Sequence, residues 1–454
     1  MNLRLENLQM IYGDAQGVLR GQLERYQELL ERYRVLYGEQ EFIIARAPGR
    51  VDLLGSHTDY HQGCVLTMAL DRDTVMIAGR RDDAQVKLHS TNPRFAVKEF
   101  RLDSSIPVSE RGSWDNYVKA AAQAFVQAYG LDRISGANIL IDGHSPFTVP
   151  LAAGLSSSSA LVVCSATAFA GLNLIEMTPK QFARFCGEAE WYVGTRGGFM
   201  DHFTSVLNQK GTALFLDCRP VTVEGASTFL TEQIRIPAGY SVAIFDTKVK
   251  KEKSASSDYN IRALETRIGL ELLRAAFPQA THLRDIPPDA PLADWLPVAA
   301  SLQTLAPRIP AETLTKMFQD HHAPESQALK ILPRCQHVIA ENARVLRGCE
   351  LLKSGDMAAF GEVMHASYRS MKEAFEGSCA ELDALMESAQ DAPGLCGIRI
   401  AGAGWGGCAV AVVRTSDAQA FCEHVAAEYW RRTGLTPDVF LCQPGQGAGI
   451  VSRG

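Results

Sequence analysis

The chain has 454 residues, too long for one simple core, and is expected to fold as two to three domains. Hydrophobic residues make up 46% and charged residues 21%, and the formal net charge is −6 with no basic run, which speaks against nucleic acid as a main partner. No run approaches the ~18 apolar residues needed to span a bilayer, and MNLRLENLQMIYGD at the N-terminus holds no apolar core of signal-peptide length. Eleven cysteines lie scattered without a CxxC pair. Cys64, Cys164, Cys186, Cys218 and Cys408 sit in apolar or small-residue segments and read as buried free thiols of a cytoplasmic protein with no membrane partner.

In chain order, Val18 to Tyr37 reads as a helix, with Leu19, Leu23, Tyr26, Leu30, Tyr33 and Tyr37 stepping by three and four. That stripe packs onto its own domain or pairs two copies, so a monomer or weak homodimer is expected. Strands are predicted at Phe42–Ala47, Val65–Leu70, Thr74–Gly79 and Val86–Ser90. Trp114 to Tyr129 is helical in pattern, Ala137–Ile141 is a strand, and a helix follows the serine-rich turn through Ala170. Thr178-Pro179 is a cap-and-first-turn signal for a helix to about Tyr192. Leu214–Asp217 and Ser241–Asp246 are strands, and five prolines between Pro278 and Pro297 predict a surface excursion or domain-edge loop. Amphipathic helices are predicted at Pro333–Leu352, Met357–Phe375 and Cys379–Ser388, before a glycine-rich segment, Gly397–Val413. Strands and helices mix without strict alternation, which predicts an α+β fold.

Four stretches carry chemistry. In VPLAAGLSSSSALVV (Val149–Val163), small residues and four serines precede a helix, so backbone N–H groups and the helix N-terminus can close on a phosphate. A serine linker or a plain serine N-cap reads equally from this stretch alone. In APGRVDLLGSHTDYHQGCVLTMAL (Ala47–Leu70), Arg50, Ser56, His57, Asp59 and Tyr60 gather between two apolar strands and suit a polyhydroxy ligand. The bland alternative makes Asp59 a helix cap and Arg50 its ion partner. In GTRGGFMDHF (Gly194–Phe203), glycines precede Asp201, with Glu190 upstream on a helix. The two carboxylates can divide magnesium binding and proton acceptance, unless Asp201 merely caps the next helix. RIAGAGWGGCAV (Arg399–Val410) is a loose GxGxxG without a following βαβ unit, better read as a loop packed beside another ligand loop.

The order and wording of these stretches resemble the GHMP small-molecule kinases and, within them, the galactokinases. APGRVDLLGSHTDYHQG resembles the sugar signature, PLAAGLSSSSA the phosphate loop, GGFMDHF the catalytic-aspartate motif and GAGWGGCAV the third motif, beside the phosphate loop. Smaller matches, SWDNYVKA, FLDCR and SASSDYNIR among them, extend the resemblance over nearly the whole chain. It implies a two-domain GHMP kinase fold, with a ribosomal S5 domain 2-like unit over 1–220 and a ferredoxin-like unit over 221–454. It implies ATP- and Mg2+-dependent phosphorylation of the anomeric hydroxyl of galactose or a close relative. Asp201 is implied as base or orienting carboxylate, Arg50 as its cation, and Glu190 with Ser157 (or Ser156) as magnesium ligands. Ser56, His57, Asp59, Gly198 and Tyr259 match sugar-contacting positions. Trp114, near adenine, with Gly154, Leu155, Ser156, Ser157 and Ser158, matches ATP-binding ones.

Departures from the galactokinase pattern are Ser56 for Glu, Asp52 for Asn, His202 for Gln and Ala152-Ala153 for a glycine pair. A serine at 56 removes a negative charge, so a galacturonate 1-kinase is an alternative, with Arg196 as a carboxylate partner. A non-catalytic sugar and ATP sensor is a second alternative. The unbroken serine loop with Arg50, Glu190 and Asp201 favours an enzyme.

Overall fold

The computed structural model describes residues 4–143, 146–151, 153–194, 198–223, 226–249 and 257–454. In chain order the strands are β1 (Phe42–Leu54), β2 (Cys64–Arg81), β3 (Gln85–Ser90), β4 (Lys98–Arg101), β5 (Gly136–Ile141) and β6 (Thr212–Val223). They continue as β7 (Ala226–Arg235), β8 (Tyr240–Asp246), β9 (Leu395–Ile400), β10 (Cys408–Arg414), β11 (Asp438–Cys442) and β12 (Gly449–Arg453). Helices are named by their residues.

β2 is the axis of the first sheet. β1 pairs antiparallel with both of its halves, β5 with Met76–Arg81 and β6 with Cys64–Thr67. β3 and β4 extend the sheet beyond β5, β7 lies outside β6, and β12 returns from the end of the chain to the free side of β1. The sequence predicts two strands where β2 runs unbroken through Asp71-Arg72-Asp73. Asp73 is fully buried there, and its oxygens accept from Arg25 (2.8 Å), Arg46 (2.5 Å) and Tyr12 (2.7 Å), so the strand keeps its polar middle without an unpaired charge. β1 likewise continues through Pro48-Gly49, with a register shift between Pro48 and Arg50. At that shift the Arg50 N–H leaves the ladder for the Leu155 carbonyl, 3.2 Å away. A bulge thereby ties the strand to the serine-rich turn.

The stripe on the Gln16–Tyr37 helix packs inside the chain: Leu19, Tyr26, Leu30 and Tyr33 are buried with Ile44, Val75 and Ile77. The apolar Ser157–Leu172 helix shares a core with β1, β2 and the Asp115–Tyr129 and Pro179–Glu190 helices. Thr178 and Gln181 form the reciprocal cap at Pro179 that the sequence signals.

The second sheet, ordered β11-β8-β10-β9, is antiparallel throughout. The Met357–Glu373 helix lies so close to it that a Cβ on Gly361 would meet the Cys396 carbonyl oxygen at 1.8 Å. Residue 220 falls within β6, and β7 keeps the chain on the first sheet to Arg235. The proline-rich 278–297 stretch is more than an excursion. Leu283, Ile286, Leu292 and Leu296 enter the second core, and Arg284 binds Asp217 and the Gln62 carbonyl across the seam. The glycine-rich 401–407 segment joins two antiparallel strands, which rules out a dinucleotide-binding βαβ unit there. Of the five cysteines expected inside, all but Cys218 are fully buried. No helix among the described residues is long and apolar enough to cross a membrane.

Asp71, at the bend of β2, accepts the Gln443 N–H at 3.1 Å, and burial pushes its carboxyl up to about 6. A carboxyl raised on folding contributes stability that is full below its unfolded value and is lost as pH rises through about 6. At pH 8 the native state therefore holds a disfavoured charge, and Asp71→Asn keeps an acceptor without it. The variant is expected to gain about 1–2 kcal/mol, a rise of a few degrees in Tm, at pH 8 and nothing at pH 4. Thermal melts at the two pH values measure this, and an equal shift at both would remove the charge from the explanation.

Candidate active site

Four segments converge at the seam of the two sheets: the end of β1, the serine-rich turn, the turn before the Met200–Leu207 helix, and the β9–β10 connection. Arg50 joins the first three. Its Nε and Nη2 reach Asp201 Oδ1 at 2.8 and 2.7 Å, and its Nη1 donates to the Gly154 carbonyl at 2.8 Å. Burial alone would lower the Arg50 pKa, but Asp201, then Asp52, and also Asp59 outweigh it and hold the guanidinium charged. The alternative of Arg50 serving mainly as the ion partner of Asp59 gives way to this pairing with Asp201.

Asp201 is the second residue of its helix, so a carboxylate sits at the positive end of the helix dipole. Oδ2 accepts from Ser156 Oγ at 2.5 Å and, more distantly, from Ser159 Oγ at 3.4 Å. The side chain keeps 23% of its surface exposed, whereas Arg50 behind it keeps 3%. Both carboxylate oxygens are thus held while part of the side chain stays exposed.

Ser159 is a residue that the sequence analysis left unassigned. It donates to Glu190 Oε2 at 2.8 Å, so one buried hydroxyl links two carboxylates, and His202 Nε2 lies 2.6 Å from the same Glu190 oxygen. The signal was available: Ser156 and Ser159 are three apart at a helix start and share a face. Ser157 and Ser158 are only partly buried on the first turn. Gly154 and Ser156 are both left-handed, with φ of 77° and 56°, and Ser156 makes no side-chain cap to the Ser157–Leu172 helix. The first-turn N–H groups remain available to an anion, beside N–H groups that such a turn makes convergent. The glycine segment closes on this turn, since a Cβ on Gly402 would lie 3.4 Å from the Gly154 carbonyl oxygen and one on Gly407 3.3 Å from that of Ala153. It is packed beside the phosphate-loop candidate as the sequence predicts.

Asp59 opens a short 3-10 turn (Asp59–His61) and presses on Gly198, where a Cβ would meet Asp59 Oδ2 at 2.5 Å. Tyr259, on the Ser257–Leu273 helix, faces both carboxylates: burial first, then Asp59 and Asp201, push its hydroxyl well above the ordinary range. It stays a neutral donor. Tyr259 and Tyr60 meet ring to ring at 5.8 Å, and His57 lies 5.8 Å from Tyr259.

Two expected sugar contacts are engaged elsewhere. The left-handed, buried His57 directs Nε2 to the Ala403 carbonyl (2.9 Å) and Nδ1 to Tyr60 (3.1 Å), with its ring 4.3 Å from that of Phe375. Ser56 is buried with its hydroxyl among Arg399, Asp52 and the Gly402 carbonyl. Leu155 contributes its carbonyl to Arg50 and its side chain to the core. Trp114, at the start of the Asp115–Tyr129 helix, packs 5.8 Å from Phe95, and its buried indole N–H has no hydrogen-bond partner among the described residues. Arg196 and Ala152 lie outside the described residues.

Three family models match the chain: the galactokinase galactose-binding signature over residues 31–80, the GHMP kinase N-terminal domain over 116–209 and the GHMP kinase C-terminal domain over 350–431. A galactokinase of Roseiflexus sp. is 32% identical over 93% of this chain and 97% of its own length. One of Chloroflexus aggregans is 34% identical over 93% and 96%. Among solved structures, Lactococcus lactis galactokinase complexed with galactose aligns with a TM-score of 0.76 at 28% identity, over 93% of this chain and 99% of that one. Methanococcus jannaschii mevalonate kinase, at 16% identity and a TM-score of 0.57 over 90% and 99%, shares the fold.

Proposed function

The chain belongs to the galactokinase family, within the GHMP kinases, and from that premise we propose that Asp201 and Arg50 serve the transfer of the γ-phosphoryl group of ATP to the anomeric hydroxyl of galactose. The observation that carries this reading is the partly exposed Asp201 carboxylate, held by Arg50 at one oxygen and Ser156 at the other, beside an uncapped helix N-terminus. The proton of the sugar O1–H passes to Asp201, and O1 bonds to the γ-phosphorus. The bond from that phosphorus to the β–γ bridging oxygen breaks, and ADP leaves with the electron pair. Arg50 favours the ionised carboxylate and lends positive charge near the transferring group.

The turn Gly154–Ser158 supports phosphate binding through backbone N–H groups, and the unpartnered indole N–H of Trp114 supports an adenine-side contact. Asp59, Gly198 and Tyr259 are the sugar contacts in this reading, with Ser56 and His57 bracing the wall behind them. Two carboxylates linked through Ser159 beside that helix start suit a hard cation arriving with a triphosphate. Glu190 and Ser157 would hold magnesium, which when bound neutralises charge on the phosphates. The apolar N-terminal stripe is buried within its own chain, which supports a monomer over a dimer paired through that stripe.

The test is ADP release by purified protein with galactose, galacturonate and N-acetylgalactosamine compared side by side. Galactose is expected to give the highest kcat/KM. Sugar binding without turnover would turn the reading to a sensor. A preference for galacturonate would require Ser56 to leave its present partners, so the structure does not favour it.

A further inference from the structure

Strand β1 carries two residues, Asp52 and Arg50, whose side chains lie together on the buried side of the seam. Asp52 is 1% exposed, and every oxygen it has is used. Oδ1 accepts the Gly402 N–H at 2.8 Å, while Oδ2 takes Arg399 Nη1 at 3.2 Å and the Ser56 hydroxyl at 3.1 Å. Its main-chain carbonyl accepts Arg399 Nη1 at 3.0 Å. Arg399, on β9 of the other sheet, is fully buried. Its Nη2 donates to Ser56 Oγ at 2.6 Å and its Nε to Ser367 at 3.2 Å, while Glu341 stands 3.7 Å away. Glu341 in turn is held by Arg344, Ser367 and the Gly55 N–H.

The Asp52 carboxylate reaches Arg50 by two routes. Directly, Oδ1 stands 3.9 Å from Arg50 Nη1. Indirectly, it holds the N–H of Gly402, a residue on which a Cβ would lie 3.4 Å from the Gly154 carbonyl oxygen that accepts Arg50 Nη1. We propose that Asp52, itself anchored by Arg399, is a positioning residue for phosphoryl transfer that fixes Arg50 and the glycine segment, and that Ser56 completes this joint as a neutral spacer instead of facing the sugar. The proposal rests on the galactokinase reading for its kinetic consequence only. Despite burial, Arg399 and then Arg50 keep the Asp52 carboxyl below its ordinary value, so the joint is ionic. The two departures noted in the sequence, Asp for Asn at 52 and Ser for Glu at 56, then act as one change: a single carboxylate relocated by four residues around the same guanidinium.

The test compares Asp52→Asn, Ser56→Glu and the double variant Asp52→Asn/Ser56→Glu in the full chain, by galactose-dependent ADP release and by thermal melting. Asp52→Asn is expected to lower kcat about thirtyfold with each KM within about threefold, because Arg50 is misplaced while the ligand contacts remain. Ser56→Glu is expected to be impaired as well, since a third carboxylate then joins Asp52 and Glu341 around one buried guanidinium. The double variant is expected to recover to within about threefold of the parent kcat and to melt above both single variants, a coupling that independent structural damage does not produce. Additive losses in the double variant would overturn the proposal. If Asp52→Asn fails to fold, a folded double variant supports the relay and an unfolded one overturns it. A parent protein without galactose turnover would refute the functional reading, and the melting cycle would still decide the joint.

Discussion

Asp201→Asn is expected to lower kcat for galactose phosphorylation by about a thousandfold, with the KM for ATP changed by less than about threefold. The substitution keeps the side chain's shape. An amide oxygen still accepts from Arg50 Nε, and the amide nitrogen faces Ser156 and Ser159, whose hydroxyl oxygens can accept from it. What disappears is the negative charge and the capacity to take a proton from the sugar. Asp52 and Asp59 remain near Arg50, so the guanidinium is not left without a counter-charge and the protein should stay folded. Steady-state ADP release with a melting curve on the same preparation separates the two effects. A loss below tenfold in a folded variant would mean that Asp201 neither accepts nor orients the hydroxyl proton.

The candidate site was largely legible because its chemistry is local. The serine run, the glycines before Asp201 and the Pro-Gly pair before Arg50 each announce themselves within about ten residues, and the structure brings these segments to one place. The helices Gln16–Tyr37, Pro179–Glu190 and Met357–Glu373 match their periodic stripes to within a few residues at each end. What could not be read was the orientation of side chains whose partners lie far along the chain. Ser56 sits inside a recognisable sugar signature, yet its hydroxyl is claimed by Arg399, more than three hundred residues away. The unbroken β2 was missed for the same reason. Asp73 looks like a strand breaker until Arg25 and Arg46 are folded onto it. Pattern reasoning prices a polar residue by its neighbours in sequence, whereas a folded chain prices it by the partners that topology supplies. The proline-rich stretch before residue 298 lies at the seam as a domain-edge loop would, but its polar appearance hides Leu283, Ile286, Leu292 and Leu296, which bury only once the second core exists.

Arg50→Lys is expected to lower kcat by about a hundredfold and Arg50→Met by more, with a different pH profile for each. Lysine keeps the charge but not the fork. From one ammonium it cannot reproduce the two contacts to Asp201 Oδ1 together with the one to the Gly154 carbonyl, so the serine turn and the carboxylate lose their common anchor. Methionine fills the buried space and removes the cation. Asp201 then loses the opposite charge that favours its ionised form, so the acidic limb of the kcat profile moves to higher pH in Arg50→Met, while Arg50→Lys leaves it closer to that of the parent. The direction follows from the present pairing: the attraction that raises the Arg50 pKa is the same one that lowers the cost of a charged Asp201. Both variants should also melt several degrees below the parent. Arg50 is 2% exposed, and each replacement leaves at least one acceptor in the seam without its donor. Measuring kcat from pH 5 to pH 9 for the three proteins tests the argument. Equal acidic limbs in all three would show that Arg50 sets the position of Asp201 without setting its charge.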